Sequence, residues 1–146
     1  MKTVFFLSLV VCLASSCRKL EEIKKYSLLS NHDRMSKDWK LISKTENKSA
    51  IDLTGFDIRL ALKKDNTYFM STSYQLFSQT IKVERKGTWF FSHDNKSLQL
   101  CEGLTNKTEI FTIVLLKKGE LQLQQVSTNE VLNRAQSTKL YCYKAK

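Results

Sequence analysis

Proline is absent from this chain of 146 residues, and only four glycines and two histidines occur in it. Each scarcity excludes something. Without proline, no sheet edge can be guarded by a residue that lacks an amide donor, so protection against edge pairing must come from charge or from closure of the sheet. With four glycines there is no glycine-rich loop to cradle phosphates, and no low-complexity linker or internal repeat is present. His32 and His93 belong to no HExxH or CxxC spacing, and the GxSxG pattern of an activated serine is missing. His93 sits beside Asp94 and Asn95, where acidic and amide side chains are expected for turn geometry alone. These absences predict no enzyme, no metal and no cofactor.

Net charge is the next constraint. Twenty-four Lys and Arg face fourteen Asp and Glu, a formal balance of +10. Nucleic acid would be the obvious partner for such a surplus, since cationic side chains neutralise phosphates. The distribution argues against it. Basic residues are scattered from Arg18 to Lys146, and the pairs Lys24-Lys25, Lys63-Lys64 and Lys117-Lys118 fall in loops or at strand ends. No basic helix, zinc spacing or RNA-stacking aromatic motif accompanies them. A solvated basic surface drawn to anionic lipid head groups fits better.

The first residues carry an address. Met1-Lys2 precedes an uncharged apolar run from Thr3 to Ala14. That run is shorter than the ~18–20 residues a membrane-spanning helix needs. A basic start, a short apolar stretch and the small residues Ala14-Ser15-Ser16 describe a secretory signal over residues 1–16. Cys17 follows at once, where a lipid-modifying enzyme would reach its thiol and leave it as an acylated N-terminus. Acyl chains contribute ~0.8 kcal/mol per buried CH₂, enough in combination to anchor a protein without a spanning helix. The expected location is the cell envelope, with the chain lipid-anchored to the outer membrane through Cys17. Cleavage without lipidation, leaving a soluble secreted protein, is the alternative.

Residues 17–37 read as a lipidated tether with a short helical segment, in which Leu20, Ile23, Leu28 and Leu29 lie among charged residues and Ser30-Asn31-His32-Asp33 forms a break or helix cap. From Asp38 the pattern changes to short strand-favouring runs: 39–43, 58–62, 67–72, 81–85, 88–91, 97–101, 109–116, 121–124 and 139–143. Turn residues such as Lys64-Asp65-Asn66, Ser92-His93-Asp94-Asn95 and Lys117-Lys118-Gly119 recur about every ten positions. The run 109–116 is apolar on both faces in part, which predicts that one of its faces is covered by more than water. Connections this short cannot hold crossover helices between parallel strands. An all-β antiparallel barrel or sandwich over residues 38–146 is therefore expected.

The order of motifs resembles the lipocalin-like domains of Bacteroidetes-type lipoproteins. It is carried by Trp39-Lys40-Leu41, Lys64-Asp65-Asn66-Thr67-Tyr68, Gly87-Thr88-Trp89, Ser97-Leu98-Gln99-Leu100, Ile110-Phe111-Thr112-Ile113 and Gly119-Glu120-Leu121-Gln122-Leu123. Lys37 stands where lipocalins usually carry a glycine, two residues before the first tryptophan. The resemblance implies a small up-and-down lipocalin-like barrel of about eight strands, open at one end. A barrel of that size either fills with side chains or admits one small molecule.

On that reading Trp39, Tyr68, Trp89, Phe91 and Phe111 are the candidate lining of a cavity for a small apolar or amphipathic ligand. Their other role is to fill the core, with Trp39 and Trp89 plugging the closed end. A filled barrel would instead make the protein a structural or protein-interaction module of the envelope. Cys101 and Cys142 lie in predicted strands in what would be an oxidising compartment, so either a bridge or two free thiols is open to them.

Overall fold

The computed structural model describes residues 30–127 and 137–146. The signal region 1–16, Cys17 and the tether as far as residue 29 lie outside the described residues. The described chain begins with a short helix, α1 (Asn31–Met35), at the position read as a break or cap. Nine strands follow: β1 (Asp38–Glu46), β2 (Ser49–Ala50), β3 (Phe56–Leu62), β4 (Thr67–Leu76), β5 (Gln79–Phe91), β6 (Ser97–Glu102), β7 (Thr108–Lys117), β8 (Glu120–Ser127) and β9 (Ser137–Ala145).

Every pairing is antiparallel, and β1 pairs with both β3 and β9. Eight strands thus close into an up-and-down barrel. β2 is a two-residue hairpin arm that takes over the upper end of β1 through Thr45↔Ala50 and Glu46↔Ser49. Turn chemistry does the rest locally: Asn47, Asn66, Asn95 and Asn106 all adopt positive φ, which asparagine tolerates better than most residues.

The strand count from sequence was also nine, but by a different division. The runs 81–85 and 88–91 are one continuous strand, β5, in unbroken register with β4 from Leu76↔Gln79 to Thr67↔Thr88. Gly87 inside it marks a close approach: a Cβ there would lie 1.9 Å from the Cys101 carbonyl oxygen. β6 covers only Gly87–Phe91 of β5, so the β4–β5 hairpin rises beyond its neighbour. Phe77 stands at its tip, 98% exposed, with φ 53°.

Two register shifts decide which side chains face inward. One lies between Leu41 and Ser43 in β1, the other between Ile113 and Leu115 in β7. An extra residue resets the period-two alternation, so Ile113 and Leu116 both join the packed interior while Val114 is 49% exposed. This register shift accounts for the two-sided apolar run in β7. Ile110, on the outer face, is 57% exposed.

The buried core lies toward one end. Met35, Trp39, Leu60, Trp89, Leu98, Leu100, Leu121 and Leu123 are all below 2% or at 2% exposure. The helix α1 seals this end. Trp39 Nε1 donates to the Met35 carbonyl at 2.9 Å, and Trp89 Nε1 donates to the Lys63 carbonyl at 2.9 Å. His32 stacks on Trp89 with centroids 4.8 Å apart and its Nε2 2.6 Å from Asn66 Oδ1. Both indole donors are satisfied where water is excluded, which is what lets tryptophan serve as a plug.

Candidate functional site

Above the plug the lumen changes character. Strand parity points Ile58 from β3, Met70 and Thr72 from β4, Val83 and Arg85 from β5, Glu109 from β7, Gln125 from β8 and Lys139 and Tyr141 from β9 into the barrel. These side chains face inward, yet solvent reaches them: Val83 is 50% exposed, and the side chains of Arg85 and Glu109 are 34% and 18% exposed. Among the described residues the upper half of the barrel is therefore a cup, closed below and open above.

An ion pair crosses its floor. Arg85 Nη1 donates to Glu109 Oε1 at 2.9 Å, while Nη2 lies 3.0 Å from the Met70 thioether sulfur. Lys107 Nζ stands 4.0 Å from the same carboxylate oxygen. Burial works most strongly against the Arg85 charge, but the hydrogen bond to Glu109 and the negative charges of Glu109 and Glu102 together outweigh it and hold the guanidinium still more firmly protonated. Three tyrosines share these inward faces. Tyr68 and Tyr143 are each 4% exposed, and Tyr141 donates to Gln125 Oε1 at 3.2 Å and meets Phe111 edge-on at 5.9 Å. Burial pushes all three phenols upward, Tyr143 furthest. Nearer the mouth, Lys44 lies over the Tyr141 ring at 5.3 Å, and Glu46 accepts from Ser137 at 2.8 Å with Lys139 3.7 Å away.

The five aromatics named from sequence separate into two groups. Trp39, Trp89 and Phe91 lie in or against the closed end, where Trp89 and Phe91 meet edge to face at 5.6 Å. Tyr68 and Phe111 border the floor of the cup. Cys101 and Cys142 are both free thiols. The bridge left open by the sequence is not formed, because β7 and β8 stand between β6 and β9. Three strand spacings make ~14 Å, twice the ~7 Å that a disulfide can span between Cα atoms.

Arg85, Glu109, Met70, Tyr141 and Tyr143 did not emerge from the sequence. Two of them left a signal there. Arg85 shares the parity of Ile81 and Val83, and Glu109 that of Phe111 and Ile113, so each is a charge written into an otherwise inward apolar face. Elsewhere the surface offers two shallow grooves on the outer wall. One, of about 470 Å³, lies by Asp57, Arg59, Phe69 and Lys82. The other, of about 490 Å³, lies by Thr45, Val114, Gln124 and Leu140. Among the described residues no group of His, Cys, Asp or Glu could hold a metal ion.

Residues 50–137, more than half of the chain, match the NlpE N-terminal domain family. The chain belongs to that family. This NlpE N-terminal domain is also similar in structure to bovine lipocalin allergen Bos d 2, with a TM-score of 0.51 and 8% identity over 79% of this chain and 75% of that one. Odorant-binding protein from bovine nasal mucosa gives 0.49 and 11% identity over 81% and 75%. At these identities the likeness concerns the fold alone: the NlpE N-terminal domain here is a lipocalin-like barrel. Among curated proteins, none matches the chain in sequence.

Proposed function

We infer that the protein is a non-catalytic binding module, lipid-anchored at Cys17 in the cell envelope, whose barrel takes up a small amphipathic ligand through its open end. The observation that carries this reading is the division of the interior. One half is sealed by Met35, Trp39 and Trp89, while the other keeps inward side chains such as Val83 and Arg85 within reach of solvent. An apolar wall with a few convergent polar groups is the usual form of a small-molecule site. Tyr68 and Phe111 are then the aromatic lining, and Trp39, Trp89 and Phe91 the floor beneath it.

The small residues Ala14-Ser15-Ser16 directly before Cys17 support the anchor. The described chain enters the barrel through α1 at the closed end. Twelve residues separate Cys17 from Ser30, a reach of at most ~45 Å. Outer-membrane anchoring is tested by labelled palmitate: the label enters the native chain and not Cys17→Ser. Incorporation into the serine variant would refute lipidation at that position. Ligand uptake is tested by native mass spectrometry of the purified protein offered a lipid extract. A retained adduct is expected; a protein that stays bare would refute uptake.

One observation favours a protein-interaction role instead. Phe77 and Leu104, 98% and 86% exposed on two loops at the open end, are more apolar than a solvent-facing rim requires. Loss of a specific pulled-down partner from Phe77→Ser, with lipid uptake absent in the native protein, would decide for that role.

A further inference from the structure

The floor of the cup holds polar groups that the fold itself does not use up. Arg85 directs one nitrogen to Glu109 and another to the Met70 sulfur. A thioether is a weak acceptor, so part of the guanidinium's donor capacity stays unspent. Tyr68 and Tyr143 turn inward and are each 4% exposed; their hydroxyls make no hydrogen bond among the described residues and are not sealed from solvent. Register sets them on the same inward faces: Tyr68 pairs with Gly87, two residues from Arg85, and Tyr143 lies two residues beyond Tyr141 on β9. Two phenols and one edge of a guanidinium thus face the barrel interior with hydrogen-bonding capacity to spare.

Charge decides what could complete them. Arg85 and Glu109 already neutralise each other, Lys107 lies against Glu109, and Glu102 accepts from Thr105 close by. A carboxylate head brought to this floor would add a negative charge beside two acids. A cationic head would meet Arg85. A neutral head bearing a hydroxyl or carbonyl adds no charge: its oxygen accepts from Arg85 Nη2 or a phenol, and its hydroxyl donates to Glu109. We propose that the Arg85–Glu109 pair, with Tyr68 and Tyr143, is a head-group site that selects uncharged amphiphiles over fatty acids and fatty amines. This deepens the ligand-binding reading above and rests on it.

The probes are 1-monooleoylglycerol, oleate and oleylamine, which share a chain and differ in head charge. Delipidated protein from residue 17 onward, carrying Cys17→Ser, is titrated with each by displacement of a fluorescent lipid probe at pH 7. Monooleoylglycerol is expected to bind at least tenfold more tightly than the other two. Glu109→Gln, which keeps the side-chain shape but leaves Arg85 uncompensated, is expected to move the preference about tenfold toward oleate. Circular dichroism establishes that the variant is folded, and the native preference needs no variant. Equal affinities, or a native preference for oleate or oleylamine, would overturn the head-group proposal while leaving ligand binding intact. Failure of all three probes to bind would overturn the ligand-binding reading itself.

Discussion

Arg85 and Glu109 sit on β5 and β7, with β6 between them, and meet at 2.9 Å inside the barrel. Such a pair is a weak source of stability, because desolvation offsets much of the attraction. Removing one partner is another matter. Glu109→Gln is expected to cost ~1–2 kcal/mol, below the range for a fully buried pair because Arg85 is about a third exposed. Arg85→Met with Glu109→Leu is expected to regain most of that loss. Urea unfolding of the single and double variants measures both; a double variant less stable than the single would contradict the account.

Gly87 admits the Cys101 carbonyl oxygen so closely that Gly87→Ala would place a Cβ 1.9 Å from it. The obstacle is backbone rather than a flexible side chain, so the strand pair itself must part. A loss of ~2–3 kcal/mol is expected, the upper part of the overpacking range. Gly103→Ala, whose Cβ would find its nearest neighbour at an ordinary 3.6 Å, serves as the control and should cost far less.

Met35 is fully buried and is the one buried residue of α1. Met35→Ala is expected to cost ~2–4 kcal/mol, through lost burial and the cavity left behind. Hydrogen exchange should show the loss of protection concentrated in residues 31–37 and in β1 beside them. Uniform loss across β4 and β5 would mean that α1 does not seal the closed end.

Tyr68, Tyr141 and Tyr143 share an upward shift, caused first by burial. In the unfolded chain these phenols ionise near the ordinary value of about 10, whereas in the folded barrel they stay protonated. Above that pH the folded state binds more protons than the unfolded one, so stability falls as pH rises. Their contribution is complete below pH ~10 and drains away above it. Denaturant midpoints between pH 8 and 11 should show the decline, and Tyr143→Phe should flatten it. An unchanged slope in that variant would assign the decline to other groups.

Cys101 and Cys142 belong to strands three places apart, with β7 and β8 between them, and both remain thiols. Alkylation of the unfolded protein from residue 17 onward, with Cys17→Ser, should add two adducts without any reductant. Fewer than two would contradict the strand order.

What the sequence by itself determined is the local part of this protein. Period-two alternation, asparagine-rich turns and the absence of proline mark short antiparallel strands, and Trp39 and Trp89 stand out within them because large aromatics must be buried somewhere. Those signals act over neighbouring residues and need no knowledge of the partner strand. Tertiary structure decided which face each strand turns inward. A single extra residue at Ile42 or Val114 reverses the alternation, and only pairing with β9 or β8 reveals it. The same pairing made Gly87 a contact point instead of a break and kept the two cysteines apart. It also brought Arg85 to Glu109 across 24 positions of sequence. Register is a non-local property. The lumen is built from register, so its polar floor became visible only when the barrel closed.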